Sequence, residues 1–303
     1  MTSMSDMLME NQVLLLDGAM GTELNRRGID TTLPLWSARA LDLAPQVVQA
    51  IHREYVQAGS SVITANTFRT TRYTYQQTGM NESEACHHAR EATFKAVSLA
   101  RHASAGKALV AGSFAPVADC YTPNDYPGRI IAEKTYTELS SWLLEAGVDL
   151  LLLETHITFD EVQCALEAAQ QTDLPIWVSF LIDQDLCLWD GTPLQKAVAL
   201  AEQKGAQAVL INCVTLDIAH NGVEALNKAT SLPFGIYANA GHSHPSKDGT
   251  ISEYVEDADF AAAAQSWVAA GARIVGGCCG TTPTTISRLK ATLIPKVDLR
   301  DQH

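Results

Sequence analysis

Two cysteines stand side by side in Gly276-Gly277-Cys278-Cys279-Gly280, directly after the apolar run Ala272-Arg273-Ile274-Val275. Adjacent cysteines rarely join each other, because disulfide geometry does not fit neighbouring residues without strain, so the pair needs another use. A soft metal ion is one. The flanking glycines let the backbone turn tightly at a strand end, which brings both sulfurs into the same small space. A third thiol would complete a zinc-like set. Cys213 is the natural candidate, since it also ends an apolar run, Ala208-Val209-Leu210-Ile211-Asn212. Three thiolates and one open position make a catalytic zinc site, whereas a structural site is normally closed by a fourth protein ligand. The alternative is that Cys213 is a small buried hydrophobe and the glycine-rich turn merely packs tightly. Cys86, Cys164, Cys120 and Cys187 have no partner at metal spacing and read as ordinary thiols.

Carboxylates come next. Asp17-Gly18-Ala19-Met20-Gly21-Thr22 follows an apolar run and pairs an acid with the exposed N–H groups of a glycine turn, equipment suited to the ammonium and carboxylate of an amino acid. A helix cap would use the same residues. Glu154-Thr155 ends Leu150-Leu151-Leu152-Leu153, and an acid on so apolar a strand is either paired or functional, because burying it alone is costly. Asn66, Thr67 and Phe68 could supply hydrogen bonds and a wall, or simply form a turn. Trp189, Asp190, Tyr237 and Asn239 could line a pocket. His87 and His88 fall within one helical segment and point to different faces. His242 and His244 sit on a loop and read as solvated, with contact to a substrate or metal as the alternative.

The elements that must position these groups recur along the chain. Strand candidates are 13–17, 61–65, 108–112, 149–154, 176–181, 208–212, 234–238 and 273–276. Between them lie helical segments at 45–58, 82–102, 130–146, 159–172, 194–204, 218–229, 257–269 and 283–293. Eight strands, each with its helix, predict a single-domain (β/α)8 TIM barrel over residues 1–303, with disordered ends at about 1–10 and 297–303. A doubly wound open sheet is the other architecture with this pattern. Pro45 and Pro283 fit first helical turns, while Gly59, Gly147, Gly205 and Gly271 fit C-terminal caps. The long loops 21–44, 68–81, 115–129 and 240–256 all follow strands. In a barrel they gather on the C-terminal face, where barrel active sites lie.

Composition narrows the partners. A chain of 303 residues that is 47% hydrophobic and 18% charged can bury a large core. The formal charge of −13, from 21 Lys and Arg against 34 Asp and Glu, repels phosphate backbones, so nucleic acid is not an expected partner. No apolar stretch is long enough to span a membrane, and the first residues lack the pattern of a signal peptide. The expected compartment is cytoplasmic, which would keep seven cysteines reduced and free for metal. Neither a dinucleotide fingerprint nor a phosphate-binding loop of the nucleotide hydrolases is present.

Leu15-Leu16-Asp17-Gly18-Ala19-Met20-Gly21-Thr22, Leu152-Leu153-Glu154-Thr155, Asn212-Cys213 and Gly276-Gly277-Cys278-Cys279-Gly280-Thr281-Thr282-Pro283 together resemble the zinc-dependent homocysteine S-methyltransferase family. The resemblance runs from the first strand to the last helix. It implies a (β/α)8 barrel whose Zn2+ is held by Cys213, Cys278 and Cys279, with homocysteine sulfur at the open position. It further implies that Asp17 and Glu154 hold the homocysteine ammonium. The backbone at Gly18 and Ala19, with Thr67, would receive the carboxylate. No catalytic side chain beyond the metal site is implied.

The expected reaction makes methionine from homocysteine and a small onium donor, S-methylmethionine or S-adenosylmethionine. Trp36, Phe68, Tyr73, Tyr75 or Trp189 could stack on that cation. Betaine and methylated corrinoids also serve in the family, and Ala65-Asn66-Thr67-Phe68-Arg69-Thr70 departs from the S-methylmethionine-type motif. No Asp-x-His-x-x-Gly corrinoid motif follows the barrel, so corrinoid chemistry would need a partner protein to which this chain presents a thiol.

Overall fold

The structure, a computed structural model, describes residues 12–243, 251 and 253–294. Its apolar runs become eight strands: β1 (Leu14–Leu15), β2 (Val62–Ala65), β3 (Leu109–Phe114), β4 (Leu150–His156), β5 (Ile176–Phe180), β6 (Ala208–Asn212), β7 (Phe234–Ala238) and β8 (Ile274–Gly277). All pair in parallel in the order β1-β8-β7-β6-β5-β4-β3-β2. The remaining seam, between β1 and β2, is held by Ser61 N–H donating to Leu15 O at 2.7 Å and by Thr64 N–H donating to the Asp17 carboxylate at 2.8 Å. The sheet is therefore a nearly closed barrel. An open doubly wound sheet would instead place β1 inside the sheet beside β2 and leave two other strands as free edges, whereas here β1 pairs with β8. The expectations for 1–10 and 297–303 fall outside the described residues.

Side chains on a strand alternate between faces, and here the alternation sorts the core into two layers. Leu14, Leu16, Val62, Leu150, Leu152, Trp177, Leu210 and Ile274 fill the barrel interior. Their neighbours, among them Leu151, Leu153, Val178, Val209 and Ile211, pack outward against the helices. The strands are accordingly apolar on both faces, as a helix-covered parallel sheet requires.

Eleven helices lie among the described residues: α1 (Gly21–Arg26), α2 (Arg39–Leu43), α3 (Pro45–Ala58), α4 (Arg72–Gln76), α5 (Glu82–Ser104), α6 (Arg129–Ala146), α7 (Phe159–Ala169), α8 (Leu194–Gln203), α9 (Leu216–Ala229), α10 (Asp257–Ala269) and α11 (Pro283–Leu293). The eight predicted helices are all present. α1, α2 and α4 were not predicted, because they are only five or six residues long and occupy stretches expected to be loop. α11 begins as its sequence suggests: Pro283 takes the first turn, and the Thr282 hydroxyl accepts from the backbone of Thr284 and Thr285. α3 stops at Gly59, whose φ of 119° suits glycine. No helix among the described residues is long and apolar enough to cross a membrane.

Candidate metal centre and amino acid pocket

Period two carries two candidate site residues to the barrel mouth. Glu154 lies two residues beyond the interior Leu152, and Cys278 lies four beyond Ile274 on β8. β8 ends because the chain needs glycine there. A Cβ on Gly277 would come within 2.3 Å of the Thr281 side chain, and one on Gly276 within 2.5 Å of Leu16 Cβ. The turn that follows is tied on both sides. Cys278 N–H donates to Ala238 O at 2.7 Å, Ala240 N–H donates to Cys279 O at 2.9 Å, and the Thr281 hydroxyl donates to Cys278 O at 2.7 Å.

Cys213 arrives from β6 with a φ of 60°, a left-handed conformation unusual for a residue with a Cβ. Its N–H donates to Tyr237 O at 3.2 Å, and its carbonyl accepts from Asn239 Nδ2 at 2.9 Å. The three sulfurs lie within 4.8 Å of one another. Tetrahedral zinc with bonds of about 2.3 Å to sulfur places its sulfurs about 3.8 Å apart. Cys213 Sγ lies 3.8 Å from Cys279 Sγ, so this pair stands at the separation such an ion requires. The Tyr121 hydroxyl lies 2.8 Å from Cys213 Sγ, a neighbour that the sequence did not disclose.

The two acids open into the same pocket, a cavity of about 210 Å3 that also reaches Gly18, Ala19 and all three cysteines. Asp17 accepts from Thr64 N–H at 2.8 Å and from the Thr64 hydroxyl at 3.1 Å. Glu154 accepts from the Ser113 and Tyr237 hydroxyls. Burial, joined by the charge of Glu154, pushes the Asp17 carboxyl up to about 8 against the opposing Thr64 bonds. Burial likewise raises Glu154 to about 7. Neither acid has an ion-pair partner among the described residues. An ammonium placed between them would restore both carboxylates.

Close packing makes Gly18 obligatory, for its Cβ would lie 2.7 Å from Thr281 Oγ1 and 2.8 Å from the Tyr55 ring. Ala19 N–H already donates to Thr281 Oγ1 at 3.2 Å. Thr67 lies apart: it is fully buried outside the pocket lining, its hydroxyl donating to Ser113 O at 2.9 Å. Thr67 therefore braces β2 against β3.

Of the proposed aromatic wall, Trp36 and Phe68 line the pocket and meet edge to face at 5.2 Å, while Tyr73, Tyr75 and Trp189 do not line it. Trp189 sits behind Tyr121 at 5.9 Å. Asp190 accepts from Phe159 N–H at the start of α7, and Asn66 bonds Ser37. His87, His88 and His242 are exposed, and His244 lies outside the described residues. Cys120, read as an ordinary thiol, is buried and lines the pocket. Arg69, Ser113 and Tyr121 are further lining residues without a sequence signal, since only the path of their loops and strands brings them there.

Asn212 explains why Asn precedes Cys and Thr follows Glu. Its Oδ1 accepts from Thr155 N–H at 3.0 Å and from the Ser179 hydroxyl at 2.7 Å, and its Nδ2 donates to Thr155 Oγ1 at 2.8 Å. Thr155 has a φ of 62°, costly for a β-branched residue, and β4 shifts register between Leu153 and His156. Asn212 thus holds the irregular turn that follows Glu154.

Comparison with known proteins agrees with this arrangement. The homocysteine S-methyltransferase family model matches residues 14–293. A homocysteine S-methyltransferase of Escherichia coli (strain K12) is 34% identical, with 94% of this chain and 96% of the relative covered. One from Bacillus subtilis (strain 168) is 29% identical, with 92% and 94% covered. The crystal structure of the Escherichia coli homocysteine methyltransferase MmuM in its metallated form superposes with a TM-score of 0.81 at 32% identity, covering 94% of this chain and 98% of that one. A match through all eight strands, at this identity and with this coverage, shows that the chain belongs to the homocysteine S-methyltransferase family of enzymes.

Proposed function

We propose that the protein is a zinc-dependent enzyme that moves a methyl group from a small sulfonium donor, S-methylmethionine or S-adenosylmethionine, to homocysteine, giving methionine. One observation carries this reading: three cysteine sulfurs within 4.8 Å of one another share a pocket with two buried acids that lack an ion-pair partner among the described residues. The distance between thiols suits zinc, and an all-sulfur set favours a soft or borderline ion over magnesium or calcium. The metallated state named for the Escherichia coli relative supports a bound metal ion, without naming it. All seven cysteines are free thiols, in keeping with a reducing compartment such as the cytoplasm. The barrel forms one homocysteine-binding domain.

An alkyl thiol is mostly protonated at neutral pH, and zinc supplies the chemistry that makes it a thiolate nucleophile. Cys213, Cys278 and Cys279 would hold that ion. Asp17 and Glu154 take the substrate ammonium and fix the direction in which its sulfur points. The backbone at Gly18 faces the carboxylate. Trp36 and Phe68 offer ring faces to the donor cation. In the transfer the substrate sulfur forms a bond to the methyl carbon while the donor's sulfonium–methyl bond breaks, its electron pair staying on the donor as a neutral thioether. The thiol proton leaves to solvent.

The test incubates the purified chain with homocysteine and each donor in turn. Methionine should form from S-methylmethionine or S-adenosylmethionine with no second protein present. Methionine appearing only when a methylated corrinoid protein is added would replace this reading with that of a barrel that presents a thiol.

A further inference from the structure

We infer that Arg69 receives the carboxylate of the methyl donor, which makes the enzyme selective for sulfonium amino acids over sulfonium cations that lack a carboxylate. The inference rests on the sulfonium reading above. Arg69 follows β2, lines the pocket and is only 6% exposed. A guanidinium that deep is costly unless its charge and its donors are met. One nitrogen is used: Nη1 donates to Pro116 O at 3.4 Å and to Ala118 O at 2.5 Å. Nε is buried without a hydrogen-bond partner, and no bond reaches Nη2. Arg69 enters no ion pair among the described residues. The Phe68 ring lies 5.2 Å from its guanidinium carbon, and its charge is felt by Glu161 without a hydrogen bond between them.

The unused edge, Nε with Nη2, is the one that takes a carboxylate in a two-pronged pair. Stapling the loop at Pro116 and Ala118 needs only Nη1, so a structural role leaves that edge unexplained. Nearby acids are committed elsewhere. Asp119 accepts from Tyr121 N–H and the Thr122 hydroxyl, and Glu161 accepts from Val117 N–H and the Tyr136 hydroxyl.

Position assigns the edge to the donor rather than to homocysteine. The acceptor's ammonium belongs between Asp17 and Glu154, at the strand ends. Arg69 bridges two loops above them and adjoins Phe68, which with Trp36 forms the aromatic wall for a cation. A donor with its sulfonium near that wall and its carboxylate on Arg69 would be held at both ends.

The experiment compares kcat/KM for S-methylmethionine with that for (3-aminopropyl)dimethylsulfonium, and for S-adenosylmethionine with that for its decarboxylated form, in wild-type enzyme, Arg69→Met and Arg69→Lys. Wild-type enzyme should favour the carboxylate donor by about 30- to 100-fold, the worth of one charge-assisted pair. Arg69→Met should erase that ratio and leave the homocysteine KM within about threefold of wild type, with Arg69→Lys in between. Equal use of both members of a pair by wild-type enzyme would overturn the inference while the sulfonium reading stands. So would an Arg69→Met enzyme that keeps the ratio and loses homocysteine affinity. If Arg69→Met does not fold, the wild-type ratio and the Arg69→Lys enzyme decide. No turnover with either sulfonium would overturn the inference and the reading together.

Discussion

Asp17 and Glu154 hold their protons to about 8 and about 7, against 3.8 and 4.5 for ordinary carboxyls, chiefly because burial disfavours the charged form. A raised carboxyl stabilises the folded chain most at acidic pH, below its ordinary value, and that contribution is lost as pH climbs through the raised one. For Glu154 the window runs from 4.5 to about 7. Above it, the substrate-free protein carries a desolvated charge. Glu154→Gln removes that charge and keeps an acceptor for Ser113 or Tyr237. The variant should melt about 2–6 °C above wild type at pH 8, with the difference closing towards pH 5. Its homocysteine KM should rise about 10- to 100-fold, because a charge-assisted bond to the ammonium is gone. Thermal scans across pH and steady-state kinetics check both. A variant less stable at pH 8 than at pH 5 relative to wild type would contradict the assignment of burial as the cause.

At the scale of elements, the site depends on two strand ends that leave regular geometry, Thr155 after β4 and Cys213 after β6, with φ of 62° and 60°. Asn212 joins them, being both the residue before Cys213 and the partner of Thr155 through two bonds. Asn212→Ala would strand the buried Thr155 N–H and open a small cavity, a loss of about 2–4 kcal/mol. Differential scanning fluorimetry should show a melting point lower by about 5–10 °C. A shift under 1 °C would remove Asn212 from this role. Strand periodicity disclosed β6, β7, α3, α10 and α11 to the residue, since long apolar runs and Pro or Gly punctuation mark them plainly. It gave no sign of α1, α2 and α4, whose five or six residues are too few to show a period, nor of the register shift in β4.

For the whole molecule, what was legible is what the barrel's regularity guarantees. Residues at strand ends must meet on one face, so the sequence alone brings Cys213, Cys278, Cys279, Asp17 and Glu154 together. Thr67 misled because its hydroxyl turns between β2 and β3 to donate to Ser113 O, leaving it outside the pocket lining. Tyr121 and Arg69 were hidden because loop paths, unlike strands, carry no period. The cysteines converge from β6 and β8, so the metal should connect the last third of the fold and be lost as a unit when one ligand goes. The most direct test is metal analysis and methionine formation in wild-type enzyme and Cys278→Ala, with circular dichroism to monitor the fold. The account predicts about one zinc per wild-type chain, and, in a folded Cys278→Ala protein, no bound metal and turnover reduced by at least about 10³-fold. Turnover retained in a metal-free Cys278→Ala enzyme would contradict it.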